Sequence, residues 1–265
     1  MAAPTVVRIA SRSNPVLLRV RRLQADPLAY RRLGQVWLEG DHLLRAAVAR
    51  GWRLPVVLLT EDAAADALWA PVRGAADKVL LVDPRLWREV SALASPVPIA
   101  ALIELPLPSL APGRRTVVLD RVQDAGNLGS MLRSAAALGM QQVLALKGCA
   151  GLWSPKVMRA AMGAHFALGL HEEGGPEDVA ALQLPLVTTS SHSGSDLGAV
   201  PLPDPCAWVF GHEGGGVCDD LQRLSTLQVR IPQPGGEESL NVAAAAAVCL
   251  YESMRQRDER HAVDR

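Results

Sequence analysis

Short apolar runs alternate with helical patterns along the chain. In the first hundred residues the runs are Val36–Leu38, Val56–Leu59, Val79–Val82 and Ile99–Leu102. Between the first two, Gly40–Arg50 places apolar residues at Leu43, Leu44, Ala47 and Val48, the spacing of one helix face. This predicts a small α/β domain over residues 1–105. The stretch Glu104–Gly113 then carries three prolines and a glycine. Proline fixes φ and biases the residue before it away from helix, so extended backbone and a linker are expected over 106–114.

Beyond the linker the strand candidates are Thr116–Leu119, Gln142–Leu146, Leu184–Thr189, Ala207–Phe210 and Leu227–Ile231. Their cores are almost continuously apolar, as in strands buried on both faces. Helical patterns lie between and after them, at Leu128–Leu138 and Asn241–Met254. This alternation predicts a second α/β domain over 115–265, a parallel sheet covered on both sides. Ligands bind such sheets beyond the carboxyl ends of the strands.

Composition narrows the classes. Hydrophobic residues make up 49% and charged residues 20%, which argues against wholesale disorder. No apolar run approaches the ~20 residues of a membrane span, and no apolar segment follows the first charges as in a signal peptide. An integral membrane protein is excluded, and a cytoplasmic location is expected. The four cysteines, Cys149, Cys206, Cys218 and Cys249, form no CxxC pair and read as reduced thiols, so no metal site is expected. Net charge is formally zero, yet residues 1–35 hold seven arginines against one acid, Asp26. A basic segment ahead of a mildly acidic body suggests an anionic partner, nucleic acid first. The competing reading is a solvated helix face.

Three segments carry candidate chemistry. In the first, a strand ends at Asp120 and a helix begins near Leu128, with Asn127 expected as its N-cap and Gly139 as its stop. Leu128, Met131, Leu132, Ala135 and Leu138 would face the core. Arg133 falls off that face, where it could meet an anion or simply pair with a surface acid. In the second, Trp208–Phe210 runs into Gly211-His-Glu-Gly-Gly-Gly216, a loop whose backbone a ligand can approach closely. It has neither the lysine of a phosphate loop nor a dinucleotide fingerprint. Glu213 stands in its middle, and His212 reads as a structural histidine. In the third, Leu227–Ile231 ends in a Pro/Gly loop before an alanine-rich helix, with Ser239 and Asn241 at the helix start where free N–H donors point outward; plain capping by Ser239 is the competing reading. Two such elaborate loops after two strands suggest one shared pocket.

The three segments resemble the three motifs of the TrmH/SpoU-type RNA 2′-O-ribose methyltransferases of the SPOUT superfamily. Asn127-Leu-Gly-x-x-x-Arg133 is similar to the first motif, Gly211-His-Glu-Gly-Gly-Gly216 to the second, and Ile231-Pro-Gln-Pro-Gly-Gly-Glu-Glu-Ser-Leu-Asn241 to the third. They stand in the family's order and spacing over about 150 residues. Ser11-Arg-Ser-Asn-Pro15 and Trp37-Leu-Glu-Gly40 resemble, more loosely, the RNA substrate-binding domain often fused to these enzymes, a small α/β domain of ribosomal-protein (L30e/L7Ae-like) type. The chain departs from the pattern at Gln233, where methionine is frequent, and at Ala243, where serine is frequent. Its first-motif loop also reads Asp-Ala-Gly-Asn in place of the frequent Asp/Asn-Pro-x-Asn.

The resemblance implies a methyltransferase domain with a deep trefoil knot, S-adenosylmethionine as cofactor, and methyl transfer to a ribose 2′-hydroxyl. The target it implies is ribosomal RNA, 23S rRNA foremost, with transfer RNA as the alternative. It places Gly211, Gly216, Ile231, Ser239 and Leu240 against the cofactor, and Asn127, Arg133, Glu213, Ser239 and Asn241 in the catalytic centre. Arg12, Arg19, Arg21 and Arg22 would bind RNA. It implies a homodimer in which Arg133 can serve the partner's pocket. The guanidinium's pKa above ~12 makes Arg133 a poor base, so its expected work is binding the target phosphate and stabilising the developing alkoxide. Two rivals are a non-catalytic RNA-binding protein of the same fold and a dinucleotide-dependent enzyme. The intact motif residues speak against the first, and the missing fingerprint against the second.

Overall fold

The computed structural model describes residues 4–108, 110–236 and 239–263. Ser109 of the expected linker and Glu237 and Glu238 of the third motif lie outside the described residues. The chain divides into two units: residues up to Leu107 together with Trp153–Phe166, and Pro108–Leu152 together with Ala167 onward.

The first unit runs β1 (Thr5–Ile9), α1 (Pro15–Ala25), α2 (Ala29–Leu33), β2 (Gln35–Glu39), α3 (Asp41–Ala49), β3 (Leu54–Thr60), α4 (Ala70–Gly74), β4 (Ala76–Val82), α5 (Pro84–Val90) and β5 (Ile99–Glu104). Its sheet has the order β1-β4-β3-β5-β2, with β5 antiparallel to both neighbours and the other pairs parallel. Three of the basic segment's arginines, Arg19, Arg21 and Arg22, lie on α1, while Arg8 is on β1 and Arg31 and Arg32 are on α2. Asn14 starts α1 by accepting the Val16 N–H at 2.9 Å, and Pro15 pre-sets the first turn. Leu17, Val20 and Leu23 form its buried stripe, which leaves the arginines outward.

The second unit begins with β6 (Thr116–Leu119), α6 (Ala125–Ala137) and β7 (Gln142–Leu146). The next helix, α7 (Pro155–Ala161), belongs to the first unit. There Trp153 lies 6.5 Å from Trp52, and Phe166 meets the same indole edge-on at 5.0 Å. The chain then returns through β8 (Gly169–Gly174), α8 (Pro176–Ala181), β9 (Leu186–Thr189), β10 (Ser195–Asp196), β11 (Ala207–Phe210), α9 (Asp219–Arg223), β12 (Leu227–Arg230) and α10 (Val242–Val263). All seven strands are parallel, in the order β10-β12-β9-β11-β6-β7-β8. β6 and β11 are central and fully buried.

The side chains of β11 alternate between two covered faces. Ala207 and Val209 join Val118, Leu144, Val179, Leu182 and Leu221 on one face. Trp208 and Phe210 point to the other, stacked at 6.0 Å, where α10 packs on β11 and α6. Each ring removes roughly 150–250 Å² from water, so truncating either to alanine costs about 3–5 kcal/mol.

The structure adds elements that the apolar runs do not reveal. β1, β8 and β10 are edge or short strands, and β8 reads Gly-Leu-His-Glu-Glu-Gly with only part of its length buried. The last helix runs to Val263, well past the expected Met254.

Candidate functional site

The three motif segments meet at the carboxyl ends of the second unit's strands. α6 is capped by Asp124, whose side chain accepts the Asn127 N–H at 2.7 Å. This corrects the expectation that Asn127 is the cap. The helix starts three residues earlier, and Asn127 sits inside its first turn with its carboxamide free for other work. That group donates from Nδ2 to Glu213 Oε1 at 3.2 Å, and its Oδ1 accepts from Asn241 Nδ2 at 2.9 Å. The Asp124 N–H also donates to Glu213, at 3.3 Å.

Asn241, not Ser239, caps α10. Its Oδ1 accepts the N–H groups of Ala243 and Ala244 at 2.9 and 3.3 Å. Ser239 stands two residues outside the cap, exposed on the pocket wall. The helix leaves those first donors open, and an asparagine directly before its first residue reaches them.

The second-motif loop is closed on itself. His212 and Gly216 exchange two backbone hydrogen bonds, at 3.0 and 2.8 Å, with Gly216 in the left-handed region at φ 64°. His212 Nδ1 accepts the N–H groups of Gly214 and Gly215 at 3.0 and 3.1 Å. In the neutral ring this leaves the proton on Nε2, so His212 holds the loop, as expected of a structural histidine. Gly211 is buried, and a Cβ there would lie 2.0 Å from the Gly216 carbonyl carbon and 2.1 Å from the Val217 nitrogen. Only glycine fits between these backbones.

Glu213 is held ionised. Desolvation pushes its pKa up, but hydrogen bonds from its own N–H, Asn127, and the Asp124 and Gln123 backbone outweigh this and bring it below the ordinary glutamate value. Asp120, buried at the end of β6, escaped the sequence reading. Burial raises its pKa, and the Arg121 guanidinium at 2.8 Å and the Cys218 N–H at 2.7 Å more than reverse the effect. It staples the far end of the glycine loop to β6. The readable signal was a single acid closing an apolar strand just before the first motif.

A pocket of about 530 Å³ opens beside this network, within the range for small-ligand sites. Gly211, Gly216, Ile231, Ser239 and Leu240 all line it, as does Glu213. Phe210, Val229, Val242 and Ala245 add apolar wall, and Thr189–His192 a polar one. Asn127, Arg133 and Asn241 are not among its lining residues. Arg133 is exposed on α6 and makes no hydrogen bond or ion pair among the described residues.

The candidate RNA-binding arginines lie in the first unit and are unequal. Arg12 and Arg21 both pair with Glu89 of α5. Arg19 donates to Gln35 at 2.9 Å, and Arg22 is exposed without a partner among the described residues. Burial pushes the Cys149 thiol up to about 11 and those of Cys206 and Cys249 up to about 12, as inert core thiols require. Among the described residues no cluster suits a metal ion, and no helix is long and apolar enough to cross a membrane.

A pocket at the carboxyl ends of an all-parallel sheet, walled by a glycine loop and a capped helix start, defines an α/β ligand-binding domain. Its kind is settled by comparison. A model of the SpoU rRNA Methylase family matches residues 114–251, over half of the chain. An uncharacterized tRNA/rRNA methyltransferase of Synechocystis is 32% identical over 95% of this chain and 94% of its own. The 23S rRNA (guanosine(2553)-2′-O)-methyltransferase RlmP of Bacillus subtilis is 29% identical over 81% of this chain and 86% of its own. The AdoMet-bound rRNA methyltransferase from Sinorhizobium meliloti superposes with a TM-score of 0.81 at 26% identity, covering 94% of this chain and 98% of that one. The chain belongs to the SpoU rRNA methylase family, and its second unit has the parallel-sheet fold of SPOUT methyltransferases.

Proposed function

We propose that this protein transfers a methyl group from S-adenosylmethionine to a ribose 2′-hydroxyl of ribosomal RNA, with 23S rRNA as the target. The observation that carries this reading is the hydrogen-bonded chain Asn241–Asn127–Glu213, which joins all three motifs beside the pocket. The relatives named as rRNA methyltransferases and the AdoMet-bound neighbour support the substrate and the cofactor.

The residues present suit the cofactor. Gly211 leaves no room for a Cβ, so backbone rather than side chain forms that wall. Ile231 and Leu240 offer apolar surface, and a buried side-chain oxygen of Gln233 lacks a donor among the described residues. Gly211, Gly216, Ile231, Ser239 and Leu240 would hold the cofactor, which when bound supplies an electrophilic methyl group. Glu213 and Asn241 fix the carboxamide of Asn127 and with it the first turn of α6. Arg133, nearly two turns further on, binds the target phosphate and the oxygen that becomes negative. The hydroxyl proton passes to that phosphate or to water, since a guanidinium is too weak a base.

Arg133 stands outside the pocket of its own chain and has no partner among the described residues, which supports its use in the pocket of a second copy. We take the protein as a homodimer formed through α10, knotted in its 115–265 domain and cytoplasmic. The 1–105 domain, joined by 106–114, would hold the RNA through Arg12, Arg19, Arg21 and Arg22. The test is direct. Labelled S-adenosylmethionine binds and NAD does not, and 2′-O-methyl mapping of 23S rRNA from cells with and without the gene reveals one missing modification. A missing site in transfer RNA instead reassigns the target, and loss of no modification refutes the activity.

A further inference from the structure

Gln233 follows β12 by three residues and lines the pocket two residues beyond Ile231. Its side-chain oxygen Oε1 is buried without a hydrogen-bond partner among the described residues. No described residue engages either end of the carboxamide; only the backbone carbonyl is used, accepting from the Gly236 N–H at 3.3 Å. A second orphaned atom, the indole N–H of Trp208, belongs to a side chain that does not line the pocket. Gln233 alone of these two is in position to meet a ligand.

Leaving a buried acceptor unpaired costs free energy, and a binding site recovers that cost when a donor arrives. The last torsion of a glutamine is soft, so the amide turns readily to present oxygen or nitrogen at the pocket wall. Methionine, frequent at this place in the family's third motif, has a similar reach but no strong acceptor.

S-adenosylmethionine carries three kinds of donor: an ammonium, ribose hydroxyls and the adenine amine. The ammonium calls for a carboxylate rather than a neutral amide. The amine arrives on a flat, weakly polar ring, which suits the apolar surface of Ile231 and Leu240 in the same loop. A carboxamide also offers an acceptor and a donor side by side, the pattern that pairs with adenine's amine and adjacent ring nitrogen. We propose that Gln233 reads the adenine edge of the cofactor and is a specificity-determining residue of its pocket. This rests on the cofactor reading above.

The experiment measures dissociation constants by calorimetry for S-adenosylhomocysteine and for its analogue with hydrogen in place of the adenine amine. The full chain is compared with Gln233→Met, and with Gln233→Asn as a shorter amide. The wild type is expected to bind the analogue roughly tenfold more weakly, because a site built to meet an N–H rejects the compound lacking it. In Gln233→Met that ratio should fall to within about twofold of unity. Gln233→Asn, whose amide falls short, should lose most of the ratio while keeping the fold, checked by its melting curve. An equal ratio in wild type and both variants overturns the proposal alone. Failure of the wild type to bind S-adenosylhomocysteine at all overturns the cofactor reading and this inference with it.

Discussion

Asn241 and Asn127, 114 residues apart in the chain, share a 2.9 Å hydrogen bond that links the start of α10 to the start of α6. Both ends of the Asn127 amide are occupied, its oxygen by Asn241 and its nitrogen by Glu213. Asn127→Asp would set a second carboxylate against Glu213. The variant is expected to lose about 0.5–1.5 kcal/mol, the scale of one hydrogen bond lost from a solvent-accessible network. Chemical denaturation at pH 7 measures this. A loss no larger than a surface substitution's would show that the linkage is ornamental.

Glu213 and Asp120 both have pKa values below their ordinary ones in the folded protein. Their ionised forms therefore stabilise the fold fully above the usual carboxylate range, and this contribution is lost as pH falls through the lowered values. Glu213→Gln should lower Tm at pH 7 and narrow the gap to wild type as the pH is taken toward 3. Asp120 maintains part of the acid sensitivity in that variant. A gap independent of pH would mean that the carboxylate charge of Glu213 is not what its neighbours bind.

Gly211→Ala places a methyl group inside the Gly216–Val217 backbone. The loop must open or the strand must shift, at about 1–3 kcal/mol or more for overpacking. The expected result is a soluble protein with lowered Tm and no measurable cofactor binding in calorimetry. Near-normal binding would show that the loop adjusts and is not the rigid wall described above.

Arg133→Ala is expected to abolish methyl transfer and leave cofactor affinity nearly unchanged. Arg133→Lys keeps the charge but loses the planar fork, and should fall on the order of a hundredfold, the scale of one lost oxyanion donor. If the group instead acts as a base, lysine is the easier to deprotonate, and its activity should recover with rising pH. A pH–rate profile of the lysine variant separates the two roles.

Arg12 and Arg21 are partly neutralised by Glu89, whereas Arg22 is open. Arg22→Ala should weaken RNA binding and reduce the salt slope by about 0.7–0.9, one phosphate contact. Glu89→Gln releases two guanidinium groups and should strengthen binding at low salt. Filter binding across a salt series reads both, and slopes that do not move in either variant would make α1 a solvated face.

Much of this site is legible in the sequence because its chemistry lives in short, spaced loops after strands. Of the strands that carry the pocket, β6 and β11 are buried along their whole length and read as almost unbroken apolar runs, whereas β9 ends in two threonines and β12 reads Leu-Gln-Val-Arg with only Val229 buried. β8 escaped because an edge strand with His171, Glu172 and Glu173 keeps polar side chains half in water. The caps went astray for a local reason. Asp124 and Asn127, like Ser239 and Asn241, are two good capping residues within one turn, and propensity does not rank them. Tertiary contacts do: Asn127 is wanted by Glu213 and Asn241. The partners that join the motifs are distant in sequence, so no periodicity or spacing could announce them.

The segment Trp153–Phe166 has a practical outcome for anyone dissecting the molecule. Cutting at the proline-rich stretch does not yield two self-sufficient pieces, because the C-terminal piece takes with it a loop whose rings belong against Trp52. Expressed alone, residues 115–265 would expose Trp153, Val157, Met158 and Phe166 together, a greasy surface prone to self-association. The remaining N-terminal piece would have an empty groove in their place. Nicking the stretch with protease should leave a complex that survives gel filtration, and mild denaturant rather than the cut itself should separate the halves.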